Sequence, residues 1–292
     1  MRKSLGDRLF DTINVILLSA LSLATLYPFV YVLFASLSEP ADVAQYRGIL
    51  FKPLGFTLEA YQRVLGNPSI GTGYRNTLTY VVLGTVINLF LTSLGAYVLS
   101  RKSLLWKKLM MFLIVFTMFF SGGLIPTYLL VSKTLNLTDT IWAVIVPSAI
   151  NTWNLLVLKT SFEAVPEALE EAARLDGASD WTILFRIIIP LSLPAMAVIT
   201  LFYAVGHWNA YFNALIYLRN RELYPLQLIL REILISSNVE GMTTGAASGD
   251  VEQIGQTIKY ATIIVATVPV LLLYPFLQRY FVKGVLIGSV KE

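Results

Sequence analysis

Residues Ile187–Leu218 read IIIPLSLPAMAVITLFYAVGHWNAYFNALIYL, and none of these 32 positions is Asp, Glu, Lys or Arg. As one helix the stretch would run about 48 Å, longer than the roughly 30 Å hydrocarbon core of a bilayer. Pro190 and Pro194 stand near its start. Proline lacks an N–H and clashes with the preceding turn, so the expectation is an elbow followed by a span near 195–218. Five further windows are equally free of charge: Thr12–Ser38, Asn76–Ser100, Leu109–Ser132, Thr140–Leu158 and Tyr260–Gln278. Each approaches or exceeds the roughly 20 apolar residues that a spanning helix needs. The chain as a whole has 292 residues, 56% apolar and 14% charged. A soluble domain carries about 25% charged residues, and a chain this apolar buries surface too readily to stay disordered. The sequence therefore predicts an all-α polytopic membrane protein. Residues 1–292 are expected to form a single transmembrane domain of six helices, near 12–38, 76–100, 109–132, 140–158, 195–218 and 260–278.

Six spans put both termini on one side, and the basic residues say which. Of the 22 Lys and Arg, the N-terminus (Arg2, Lys3, Arg8), the second-to-third connection (Arg101, Lys102, Lys107, Lys108), the fourth-to-fifth (Lys159, Arg174, Arg186) and the C-terminus (Arg279, Lys283, Lys291) hold 13, leaving 9 for the other side. Positive charge in short loops marks the cytoplasmic face, so both termini are expected inside. The first window is too long for a secretory leader and runs into Glu39-Pro40 rather than a small-residue cleavage site, which reads as an uncleaved span. Two long outer connections follow, 39–75 and 219–259. Pro40, Pro53 and Pro68 among aromatic residues suggest short helices in the first, and Ser236–Asp250, rich in Ser, Gly and Thr, reads as a mobile loop in the second.

The inner connection that precedes the long window has a different character. Lys159–Arg186 holds six carboxylates (Glu163, Glu167, Glu170, Glu171, Asp176, Asp180) among three cations. Pro166 suits the first turn of a helix, and Glu167–Leu175 is composed mostly of strong helix formers, with its acids toward the favourable end of the helix dipole. Gly177 sits where a helix would close in a left-handed residue, and Ser179 or Asp180 can cap a second short helix. Leu169, Ala172 and Ala173 are expected on one face, small enough for another surface to come close. By composition alone this is equally a solvated amphipathic helix.

Its spelling adds a resemblance. Glu171-Ala172-Ala173, three residues, Gly177, nine residues, then Ile187-Ile188-Ile189-Pro190 closely resembles the signature of binding-protein-dependent ABC permeases, Glu-Ala-Ala-x3-Gly-x9-Ile-x-Leu-Pro, with Ile189 in place of Leu. Asp176-Gly177-Ala178 matches the sugar-transporting branch. Asn76-Thr77, Ala96-Tyr97-Val98-Leu99-Ser100-Arg101, Ser121-Gly122-Gly123-Leu124-Ile125-Pro126 and Trp208-Asn209 extend the likeness over most of the chain, toward the smaller six-span, maltose-type subunit and its complex-oligosaccharide subset. The resemblance implies a type I ABC importer permease in the cytoplasmic (cell) membrane of a bacterial-type cell. It implies a heterodimer with a second permease, two ATP-binding cassette ATPase subunits, and an extracytoplasmic solute-binding protein that delivers an oligosaccharide. Loop 159–190 would carry the coupling helix, with Glu170, Glu171, Ala172, Ala173, Asp176 and Gly177 docking on the ATPase. ATP and Mg would belong to the partner subunits, with no cofactor on this chain. Gly284–Glu292 resembles a tail that reaches the ATPase dimer, and reads as readily as a frayed end.

The remaining chemistry is sparse. No Gly-x-x-x-x-Gly-Lys-Ser/Thr occurs, so no P-loop is expected, and neither a zincin motif nor a nucleophile elbow appears. The absence of cysteine excludes disulfides and thiolates, and a lone histidine, His207, argues against a zinc centre. The chain is not expected to be an enzyme or to bind a metal, and its scattered basic residues do not form a nucleic-acid patch. His207, Trp208, Asn209, Tyr211 and Asn213 make the most polar intramembrane string. They suit either hydrogen bonds between helices or a sugar pathway of aromatic faces and amides. Two other functions stay open: a permease for another small polar solute, and an ion-coupled carrier. The carrier is disfavoured because no window holds a charged residue.

Overall fold

The computed structural model describes residues 4–243 and 255–272. Helix α1, Leu5–Ser36, opens on a reciprocal cap: the Ser4 hydroxyl accepts the Asp7 N–H, and the Asp7 carboxylate accepts the Ser4 N–H. Two short helices follow in the connection expected to contain such elements, α2 (Pro40–Gln45) and α3 (Glu59–Leu65). Helix α4, Pro68–Ser100, is continuous over 33 residues. Then come α5 (Lys107–Phe119) and α6 (Leu124–Leu129), the latter continuing as a π-helical turn, Leu130–Thr134. Helix α7 (Trp142–Ile145) passes through a 3-10 turn, Val146–Ser148, before α8 (Thr152–Glu163). The acidic segment forms α9 (Glu167–Leu175) and α10 (Asp180–Ile183), followed by a π-helical turn, Leu184–Ile188, and α11 (Ile189–Leu191). Helices α12 (Leu193–Asn209), α13 (Phe212–Tyr217), α14 (Leu226–Thr243) and α15 (Gly255–Leu272) complete the described chain.

Among the described residues, three helices are long and apolar enough to cross a membrane: Gly6–Ser36 within α1, then α4 and α15. Two bent pairs raise the number to five if each is one span. The expectation of six continuous helices therefore meets a more broken architecture. The third window bends by 109° between α5 and α6, where Gly122-Gly123 interrupts the run and Gly123 takes φ +85°. The fifth bends by 88° between the α10–α11 segment and α12, at the proline elbow the sequence anticipates. Helix α12 then stops at Asn209, whose side-chain amide donates back to the Val205 carbonyl at 3.0 Å, so residues 195–218 are two helices. The fourth window breaks between Pro147 and Asn151. Of 236–250, residues 236–243 are helical and 244–250 lie outside the described residues, as do 273–278 and the tail 284–292.

The described chain divides into two compact units, 4–70 with 230–243 and 255–269, and 71–229 with 270–272. In the first, the apolar side chains of α1 from Leu9 to Leu26 are exposed, as a lipid-facing helix requires, while its last turns pack Tyr31, Phe34 and Ala35 against Val43, Leu50, Leu54 and Tyr260. In the second, the largest core joins α4, α8, α10 and α12 through Ala96, Leu99, Leu155, Leu158, Phe162, Ile183, Leu184, Ile188 and Ile199. A separate cluster, with Tyr80, Val144, Ile145, Ala214 and Leu218, packs α4, α7 and α13.

Candidate functional site

Helix α9 ends in a turn fixed by backbone hydrogen bonds. Asp176 is the C-cap, Gly177 follows at φ +77°, and two bonds close back on the helix: Gly177 N–H to Arg174 O at 3.0 Å and Ala178 N–H to Ala173 O at 2.9 Å. This crossed pair is the Schellman arrangement, which needs a left-handed residue that glycine adopts without strain. Ser179 then caps α10, its hydroxyl accepting the Thr182 N–H at 3.3 Å. Pro166 stands at the N-cap, one position before the first helical turn where it was expected.

The α9–α10 elbow is held to α4 by charge. Arg101, one residue beyond α4, pairs with Glu170 and lies with its guanidinium 4.6 Å from the centre of the Tyr97 ring. The Tyr97 hydroxyl donates to Asp180 Oδ1 at 3.1 Å. Arg174 bridges the two limbs of the elbow, 3.1 Å from Glu170 and 2.6 Å from Asp180. Lys102 pairs with Glu167, and Glu163 accepts from Lys107 at 2.9 Å and from Lys159 at 2.7 Å. The basic cluster on which the expected orientation rests thus contacts the acidic elbow directly. Burial lowers Arg101 from its ordinary pKa, opposed by Tyr97, Glu167 and Asp180, with Arg174 adding to the lowering. Burial acts to raise Glu163, but hydrogen bonds from Lys159 and Lys107 outweigh it and hold the carboxyl below its usual range. A cleft of about 870 Å³ opens here, lined by Arg101, Lys102, Glu163, Glu167, Glu170 and Glu171 among others.

The six residues proposed for docking separate into two groups. Glu171, Ala172, Asp176 and Gly177 are exposed; Glu170 is buried, at 8% exposure, and Ala173 turns inward against the core with Val165 and Ala178. Ala172 and Ala173 therefore do not share the outward face expected of them: successive helical residues point about 100° apart, and Ala173 is drawn to the core. The outer surface instead presents Leu175, 89% exposed, and a Trp181–Phe185 ring pair with centroids 5.9 Å apart. Leu175 precedes the turn as an unpartnered apolar residue, a signal legible only once the helix face is known.

The polar string 207–213 does not form one surface. His207 and Trp208 are buried, whereas Asn209 and Tyr211 are exposed and Asn213 is partly buried. Trp208 lies against Tyr74, with ring centroids 6.2 Å apart. His207 belongs to a buried junction with α4, the interhelical alternative of its two readings, with a partner, Asn88, that the sequence did not single out. Asn88 of α4 donates to the carbonyls of Ser148 at 2.6 Å and Ala149 at 3.0 Å, and its side-chain oxygen lies 2.8 Å from His207 Nε2. Both backbone partners are acceptors, so the amide orientation is set and Nε2 is the donor. Tyr203 completes the junction: its hydroxyl accepts the Asn151 N–H at 3.0 Å and bonds Thr92 at 2.7 Å. The break between α7 and α8 leaves backbone groups without helical partners, which apolar surroundings do not tolerate, and side chains from α4 and α12 satisfy them. Gly84 is part of this fit, because a Cβ there would stand 2.4 Å from His207 Nε2. Asn88 was legible as the one amide in the interior of the charge-free window that opens at Asn76.

Among the described residues no group of His, Asp and Glu is disposed to hold a metal. Residues 94–287 match the family model for the binding-protein-dependent transport system inner membrane component. The polygalacturonan/rhamnogalacturonan transport system permease protein YtcP of Bacillus subtilis is 46% identical over 98% of this chain and 99% of its own length. Protein LplC of the same organism is 42% identical over 100% and 98%. Among solved structures, a chain from a bacterial ABC transporter involved in the import of the acidic polysaccharide alginate superposes with TM-score 0.86 at 37% identity, covering 96% of this chain and 99% of that one.

Proposed function

Because this chain belongs to the family of binding-protein-dependent transport system inner membrane components, we propose that its acidic elbow couples ATP hydrolysis on partner subunits to the passage of an oligosaccharide. The chain is a permease subunit of an ABC importer and has the type I importer permease fold. In this reading α9, the Gly177 turn and α10 face the cytoplasm and dock on an ATP-binding cassette subunit. Glu171, Ala172, Leu175 and Asp176 form the outward face, and Glu170 and Ala173 fix that face to the rest of the unit. Both termini are cytoplasmic, the whole chain acts as one transmembrane permease domain, and the membrane is the cytoplasmic membrane of a bacterial-type cell. A second permease completes the pathway, two ATPases drive it, and an extracytoplasmic binding protein supplies the sugar. The cargo is an oligosaccharide from an acidic polysaccharide, a reading supported by the names of the polygalacturonan/rhamnogalacturonan permease and of the alginate importer.

The observation that carries the reading is the elbow itself: a short helix closed by a backbone-fixed turn and backed by ion pairs, with the family signature written across it. A docking element must keep its angle under load, and a conformational change is driven only by contacts that differ between the two states of the motor. The pathway role of Trp208, Asn209, Tyr211 and Asn213 is a smaller part of the proposal, while the contacts of His207 favour a structural role. The test is purification of the tagged chain from its native membrane, followed by uptake assays. ATPase subunits should co-purify, uptake should stop on ATP depletion but not with an ionophore, and the associated binding protein should prefer acidic over neutral oligosaccharides. ATP hydrolysis by the isolated chain would contradict the assignment.

A further inference from the structure

We infer that Arg101 is a positioning residue for coupling: it joins the elbow to α4, and α4 carries the elbow's displacement to the broken-helix junction and the outer loop. The inference rests on the coupling role proposed for α9 and α10. Helix α4 is held by polar side chains at three levels. At its C-terminal end, Arg101 and Tyr97 grip Glu170 and Asp180, one partner on each limb of the elbow. Midway, Asn88 holds the Ser148 and Ala149 carbonyls at the break before α8, together with His207 of α12. Toward its N-terminal end, Asn76 donates to the carbonyls of Glu222 and Tyr224 at 2.6 and 3.0 Å, Tyr80 donates to Leu223 O at 2.6 Å, and the Thr77 hydroxyl accepts the Leu226 N–H at 2.8 Å. From Asn76 to Arg101 the helix rises about 38 Å, more than the hydrocarbon thickness. It carries neither a proline nor a break over that distance.

Arg101 is the joint on which this linkage depends. Its side chain is only 19% exposed and that of Glu170 only 10%, unlike the open Lys102–Glu167 pair at 81% and 54%. A half-buried guanidinium facing a buried carboxylate and an aromatic ring resists shear better than an exposed lysine on a flexible stem. The other contacts of Arg101, to the Tyr97 carbonyl and the Ser100 hydroxyl, fix it to the last turn of α4. Movement of α9 is therefore passed to α4 as a rigid displacement.

The experiment uses the complete importer, with both permeases, the ATPases and the binding protein, reconstituted in vesicles. Uptake and ATP hydrolysis are measured together for Arg101→Ala, Arg101→Lys, Glu170→Arg and the exchanged pair Arg101→Glu/Glu170→Arg. Arg101→Ala should retain its ATPase partners and continue hydrolysis while sugar moved per ATP falls at least fivefold, with Arg101→Lys intermediate. The exchanged pair should recover at least half of the wild-type ratio where Glu170→Arg alone does not. An unchanged ratio in Arg101→Ala, or no recovery in the exchanged pair, overturns the inference. If Arg101→Ala fails to assemble, the contrast between Glu170→Arg and the exchanged pair decides. Failure of the wild-type chain to associate with any ATPase would defeat the coupling reading itself, a separate result.

Discussion

Gly177 stands at φ +77° with open space where a Cβ would lie, so substitution there tests backbone conformation with no steric confusion. A side chain in the left-handed region costs about 1–2 kcal/mol, less for asparagine. Uptake should fall in the order Gly, Asn, Ala, Pro, with proline lowest because its ring locks φ near −65°. Membrane insertion, read by expression and protease protection, should stay normal; equal uptake in all four would remove the turn from the mechanism. Glu163 makes a second residue-scale prediction. Its carboxyl is depressed below the ordinary 4.5, and such a group contributes stability above its unfolded pKa and loses it as pH falls through its folded one. Wild type should melt above Glu163→Gln at pH 7, by no more than about 1 kcal/mol for a partly exposed pair. That difference should close as the pH drops below about 4.5. A gap that does not narrow at all as the pH is lowered through the acid range would mean that packing, not charge, stabilises the site.

At the scale of elements, the α7–α8 break makes the sharpest claim. Asn88→Leu keeps a similar volume but strips partners from two carbonyls and from His207. Leaving buried polar groups unpaired costs about 1–3 kcal/mol in water-soluble proteins, and polar contacts between membrane helices average about 0.6 kcal/mol. Thermal unfolding in detergent should therefore show a loss of about 1–2 kcal/mol; a neutral effect would mean that the break needs no support from α4. The same junction marks where sequence reading ended. Charge-free windows located the long helices α1 and α4, because a run without charge is a local property. They could not reveal that 140–158 is two pieces: the Asn88 and Tyr203 groups that permit a break are 60 and 52 residues from their partners. Gly177 and Ser179 were legible because caps are written in adjacent residues, and the Pro190–Pro194 elbow for the same reason. The inward turn of Ala173 was not, since it depends on the core that α8 and α10 supply.

For the whole molecule, the absence of cysteine makes topology directly measurable. Single cysteines at Ser103 and Asn220 in intact cells should differ: a membrane-impermeant thiol reagent should label position 220 and spare 103 until the membrane is opened. The reverse pattern would invert the charge-based orientation and place the elbow on the wrong side for an ATP-driven motor.

The turn after α9 takes its angle from bonds between backbone atoms, and that makes the elbow a gauge of length rather than of composition. Exchanges on its outward surface alter what is touched, but inserting one residue between Glu167 and Leu175 would rotate everything downstream by about 100°. Trp181 and Phe185 would then swing away from whatever they meet. Drift in this segment should consequently proceed by replacement, with insertions and deletions displaced to connections that carry no such turn.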